Sequence, residues 1–172
     1  MKKFILLIAS TAIFSFSAKS QGYDIKINFK GCKDTMAYLV KYTFDQQYIS
    51  DTCKNIKNGL IQFKGKKDLD KGVYTLVSDA KSIYFDFFIN ENQKFTINTD
   101  AVDIVNNLKS VGNKENESFF SYIKYITNKN QDFNKMREQT KGKSKEDSTK
   151  FMNDTNISTS TYFFIILQCS VW

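Results

Sequence analysis

Cysteine and aspartate are the residue types through which this chain could do chemistry, and their spacing limits what that chemistry can be. The cysteines stand at 32, 53 and 169, too far apart for the Cys-x-x-Cys pair of dithiol exchange. Histidine is absent, which removes the imidazole of Ser-His-Asp and Cys-His systems and any His-containing zinc site. Proline is absent as well, so no residue is set up for an ordinary cis peptide bond. Asp34, Asp45, Asp51, Asp68 and Asp70 fall in expected loops without the spacing of a calcium loop, and read as solvated turn residues. The expectation is a protein with no catalytic residue, no metal site and no cofactor.

Two further residue sets bear on binding rather than catalysis. Tyr84 and Phe88 are candidates for a ligand surface, since flat rings stack on sugars. The segment 83–89 sets Ile83, Phe85, Phe87 and Ile89 against Tyr84, Asp86 and Phe88, which is also how a strand covered on both faces reads, and the core reading is preferred. Cys32 and Cys53 are a candidate disulfide if the compartment is oxidising. The register expected across the turn at 45–47 sets Cys53 opposite about Tyr38. That leaves roughly 20 Å of extended chain to Cys32, beyond disulfide reach unless the turn at 33–35 folds back.

The elements that must position these residues follow from periodicity. Tyr23, Ile25, Ile27 and Phe29 alternate with Asp24, Lys26, Asn28 and Lys30 as in a half-buried strand. A second run at 36–44 resumes at Tyr48-Ile49 and forms a hairpin with it. Asn58-Gly59 supplies the positive φ angles of a type I′ turn and predicts a second hairpin between the segment ending at Ile56 and residues 60–63. Strands follow at 73–77, 83–89 and 95–97. About seven strands at this spacing predict a mainly β fold, an antiparallel sandwich or barrel-like domain followed by a long C-terminal helix. Residues 101–108 read as a short helix carrying Val102, Val105 and Leu108, which Gly112 ends. Asn113 or Asn116 then caps the long helix, whose stripe of Phe119, Phe120, Ile123 and Ile126 docks on the β core and continues through Phe133 and Met136. Residues 140–150 read as a solvated helix end or linker.

The two ends of the chain speak to destination. Met1-Lys2-Lys3, an apolar run at 4–16 and Ser17-Ala18-Lys19-Ser20 have the layout of a cleaved signal peptide, with cleavage before Gln21. The run is too short and too interrupted by Ser10, Thr11 and Ser15 to span a bilayer. The first cysteine, Cys32, is too far along to carry a lipid. The expected location is the periplasm or cell envelope, with no stable membrane span after cleavage. The expected organisation is a signal peptide at 1–20, a β domain at 21–100, a helical extension at 101–156 and a hydrophobic tail at 157–172 that reads as a truncation or frameshift product. The net charge of +7 includes Lys2, Lys3 and Lys19, and no dense Lys/Arg block marks a nucleic-acid partner.

Several stretches carry a resemblance. They are Gly31-Cys32-Lys33-Asp34-Thr35, Gln47-Tyr48-Ile49-Ser50-Asp51-Thr52, Lys57-Asn58-Gly59 with Phe63-Lys64-Gly65-Lys66, and Gly72-Val73-Tyr74. Phe95-Thr96-Ile97-Asn98-Thr99-Asp100 and Gly112-Asn113-Lys114-Glu115-Asn116 with Phe119-Phe120 complete the set. In order and spacing, over about residues 22–135, the chain resembles the N-terminal β domain, of unknown function, of bacterial cell-envelope proteins that carry a thioredoxin-like domain after it. The thioredoxin-like half, with its Cys-x-x-Cys and cis-proline, is missing here, and no catalytic residue carries over. The resemblance implies a non-catalytic exported accessory or interaction module, whose partners are envelope proteins or a missing thioredoxin-like domain. A glycan- or other ligand-binding module is the alternative.

Overall fold

Alternation along the first strand decides where the core lies. In the computed structural model, which describes residues 22–44, 46–144, 146–147 and 150, β1 (Tyr23–Lys30) buries Ile25, Ile27 and Phe29 and leaves Lys26, Asn28 and Lys30 in solvent. The expected signal peptide at 1–20 and the tail at 157–172 lie outside the described residues. β2 (Ala37–Thr43) and β3 (Gln46–Cys53) form the first expected hairpin. β4 (Leu60–Gly65), β5 (Gly72–Ser78), β6 (Ile83–Ile89) and β7 (Lys94–Asp100) follow. A short helix α1 (Ile104–Asn107), a three-residue strand β8 (Lys109–Val111) and the long helix α2 (Lys114–Thr140) complete the order.

The strands make two four-stranded sheets, A in the order β4-β1-β7-β8 and B in the order β3-β2-β5-β6. Their inner faces meet over one core, where Phe29, Phe63 and Ile97 from sheet A face Leu39, Tyr74 and Phe87 from sheet B. The mainly β sandwich with a trailing helix is therefore the fold. It departs from the antiparallel expectation where β1 and β7 run parallel, Asp24 opposite Lys94 through Lys30 opposite Asp100. From β1 the chain lays β2 and β3 in sheet B, crosses to β4 in sheet A, returns for β5 and β6, and re-enters sheet A at β7 beside the strand it left. Sheet A also takes its last strand, β8, from beyond residue 100.

The Asn58-Gly59 turn forms with positive φ at both residues, 53° and 74°, and the Leu60 amide donates to the Lys57 carbonyl at 3.0 Å. It does not close the expected second hairpin. β3 belongs to sheet B and β4 to sheet A, so the turn carries the chain across the sandwich, with a single bridge between Lys57 and Leu60. Gly59 is required there: a Cβ would stand 2.1 Å from the Phe29 carbonyl oxygen.

Two bulges re-aim side chains. Leu39 pairs with Asp51 but Val40 with Ile49, leaving Ser50 over. Leu76 pairs with Phe85 but Val77 with Ile83, leaving Tyr84 over. Phe85, Phe87 and Ile89 face the core as expected, but the second bulge exchanges the sides of Ile83 and Tyr84 at the start of β6. Ile83 turns out to 59% exposure, and Tyr84 turns in against Phe29, ring centroids 4.8 Å apart.

α2 begins at Asn113, whose side chain accepts from the Asn116 amide at 3.0 Å. Glu115 and Glu117 in the first turn and Arg137 in the last suit the helix dipole. Asn116 has another task. It is fully buried and its amide accepts from the Phe88 N–H at 2.7 Å and donates to the Phe88 carbonyl at 2.9 Å, filling the place of a next strand on the edge of β6. Phe120 and Phe119 straddle that edge, packing on Phe85 and Phe88 respectively. Gln93 makes the same two-way contact with Leu69, N–H and C=O each at 2.8 Å, and so fixes the β4–β5 loop to the start of β7.

Candidate interaction surfaces

Cys32, Asp34 and Tyr84 come together at one end of the sandwich. The Tyr84 hydroxyl donates to Asp34 Oδ2 at 2.7 Å. Burial, and then the Asp34 carboxylate, hold the phenol well above the ordinary tyrosine value. Burial also pushes the Cys32 thiol up, the opposite of what a reactive thiolate needs. Cys53 pairs with Ala37 rather than Tyr38, because the turn closes on Thr43 and Gln46, a shift of two residues of which the Ser50 bulge restores one. Both Cys32 and Cys53 are free thiols, half-buried against the core margin.

Tyr23 and Tyr74 share the Tyr84 pattern. The Tyr23 hydroxyl donates to Asp51 at 2.7 Å and burial, then that carboxylate, raise it. Tyr74 is pushed up to about 12, by burial first and Asp70 second. The folded chain thus keeps three phenol protons that the unfolded chain releases near pH 10. Their contribution is fully present below pH 10 and is lost as pH rises beyond it. Unfolding midpoints measured by circular dichroism are expected to hold level to about pH 9 and fall steeply above pH 10. Y84F is expected to flatten that fall; an unchanged slope would show that Tyr84 does not contribute.

Phe88 lies elsewhere. Its ring meets Phe119 of α2 edge-on at 4.9 Å, on the outer side of sheet B, so Tyr84 and Phe88 do not form one surface. That outer side is the more apolar of the two, carrying Tyr38, Val40 and Tyr42 on β2 and Val73 and Val77 on β5. Thr75 is buried among them and its hydroxyl donates to Asp86.

The four sheet edges differ in how they are finished. β8 has three residues and packs on α2. β6 has Asn116 in its outer hydrogen-bonding position. β4 carries Lys64 and is followed by Lys66 and Lys67, charges that discourage strand addition. β3 is guarded more lightly, by the Ser50 bulge and by Lys54 just beyond its end. Its eight residues carry no lysine, Tyr48 is 52% and Ile49 63% exposed, and its one acid, Asp51, accepts from Tyr23. Sequence reasoning found the strand but could not see that it ends a sheet, because strand order is set by partners distant in sequence.

A cleft of about 360 Å³ opens near the β6–β7 turn, lined by Gly22, Leu69, Lys71, Glu91 and Gln93 among others. Its volume is within the range of small-molecule sites, but such sites are mostly apolar, and here the Lys71–Glu91 ion pair occupies the lining. Among the described residues, no three His, Cys, Asp or Glu side chains converge as a metal site, and no helix is long and apolar enough to cross a membrane.

The chain matches no curated protein and no solved structure. The family model described as a domain of unknown function, DUF4369, matches residues 23–119. That match runs from the first residue of β1 to the phenylalanine that packs α2 on β6, and the chain belongs to the DUF4369 family.

Proposed function

We propose that this domain is a non-catalytic interaction module of an exported cell-envelope protein, and that it binds its partner by adding a strand to β3. Envelope proteins are the partner class, a thioredoxin-like domain first among them, as the resemblance over residues 22–135 implies. The observation that carries the reading is the lightly guarded β3 edge: a row of main-chain donors and acceptors beside exposed Tyr48 and Ile49, the kind of edge that strand-adding partners use. Cys32, held protonated by burial, supports a binding role over a redox one.

The test is a calorimetric titration of the chain with a purified thioredoxin-like envelope domain. I49K places a charge on the edge without touching the core. The expected result is binding by the parent chain, weakened at least about ten-fold by I49K, the effect of about 1.4 kcal/mol. Equal binding by both chains, or none by the parent, would sink the reading.

A further inference from the structure

The outer side of sheet A differs from that of sheet B. Its four strands present lysines at 26, 30, 64, 94 and 109 and aspartates at 24 and 100. Both aspartates are taken. Asp24 accepts from Gln62 at 2.7 Å and lies 3.7 Å from Lys64. Asp100 accepts from the Val102 N–H and pairs with Lys30 at 3.1 Å, contacts that lower its pKa. Lys26, Lys94 and Lys109 are exposed and, among the described residues, have no ion-pair partner. Solvation alone asks for charge of either sign, usually interspersed; here three like charges stand uncompensated on one flat surface.

The register places what lies between them. Lys26 is opposite Thr96, Lys94 is two residues before Thr96, and Lys109 is opposite Asn98, which is opposite Asn28. Strand spacing puts the Lys26 backbone about 8 Å from Lys94 and about 12 Å from Lys109. The three lysines therefore stand around Thr96, with Asn28 and Asn98 next along the strands, level with Lys109. The Asn28 amide donates to Asn98 at 2.8 Å, and the three polar side chains retain both donors and acceptors at hydroxyl height.

We infer that this surface binds an acidic polysaccharide, with Lys26, Lys94 and Lys109 meeting its anionic groups and Asn28, Thr96 and Asn98 its hydroxyls. Charge complementarity selects an anion, and the width of four strands suits an extended polymer rather than a single small ion. The surface has no aromatic side chain for base stacking. Its exposed aliphatic residues, Leu60 and Val111, stand on the two outermost strands, without the contiguous apolar patch that holds a protein in a lipid interface. The site is independent of β3, so either proposal can fail alone.

Calorimetric titration of the full chain with polygalacturonate at low salt tests it, alongside neutral dextran and phosphatidylglycerol vesicles. The expected result is binding to polygalacturonate, none to dextran, and roughly ten-fold weaker binding by K26Q/K94Q/K109Q, the combined worth of three exposed ion pairs. K124Q/K129Q/R137Q removes as many charges from α2 and is expected to bind as the parent does. N98A is expected to weaken binding with the charge unchanged. An equal loss in the α2 variant would reduce the effect to general attraction and overturn the proposal. So would absence of binding, or binding to the vesicles alone with the same lysine dependence.

Discussion

Asn116→Ala is expected to lower the unfolding free energy by about 3 kcal/mol, although the substitution favours the helix it sits in. The side chain is fully buried and serves both main-chain groups of Phe88, at 2.7 and 2.9 Å. Alanine removes two hydrogen bonds and leaves an N–H and a C=O beneath the first turn of α2 without partners. Each orphan costs about 1–3 kcal/mol, and the gain in helix propensity of under about 1 kcal/mol offsets only part. Urea unfolding is the measurement, with a midpoint expected to fall by about 1 M or more. Asn116→Asp keeps the acceptor but sets a carboxylate oxygen against the Phe88 carbonyl, so it is expected to be at least as damaging. A loss under about 1 kcal/mol for alanine would mean that water replaces the amide at that edge.

Gly59→Ala is expected to cost about 2–3 kcal/mol, while Asn58→Gly next to it changes stability by only a few tenths. Both residues have positive φ, which glycine takes freely and alanine does not, so backbone conformation already separates the two substitutions. Their surroundings differ. A methyl group at 59 would stand 2.1 Å from the Phe29 carbonyl oxygen, and the Gly59 carbonyl accepts from the Phe29 amide at 2.8 Å. Relieving the clash pulls β1 from the turn and breaks that bond, adding about 1 kcal/mol to the 1–2 kcal/mol of left-handed alanine. Thermal unfolding of the pair compares them directly. A loss for Gly59→Ala of only about 1 kcal/mol, the left-handed penalty alone, would show that the turn relaxes without moving β1.

Local chemistry was the part of this fold that could be read in advance. The alternation in β1, the β2–β3 hairpin, the left-handed Asn58-Gly59 turn and the Asn113 cap each depend on residues a few positions apart. The misreadings have a common cause. A type I′ turn looks the same whether its flanks pair or part, so Asn58-Gly59 could not announce that it switches sheets. The bulge that aims Tyr84 inward is a property of β5 and β6 together, invisible in the alternation of β6 alone. β8 has too few residues for any period to show. Of the candidate surfaces, the Tyr84 and Phe88 rings were named from type, and neither the β3 edge nor the lysines of sheet A were, since each becomes a surface only once strand order is known. The amides of Asn116 and Gln93 left one trace, polar side chains beside apolar runs where a solvated residue would be ordinary.

The parallel contact between β1 and β7 fixes an order of events. Neither neighbour of β1 lies within thirty residues of it along the chain: Ile27 meets Ile61 on one side and Ile97 on the other. Sheet B, by contrast, is assembled from strands between 37 and 89. A chain emerging from its N-terminus therefore holds its first strand unpaired until β4 appears and half-paired until Asp100 does. Such distant closure is slow. The opposing layer completes only after about a hundred residues are out, and until then sheet B has only the β1–β4 pair to set its inner face against.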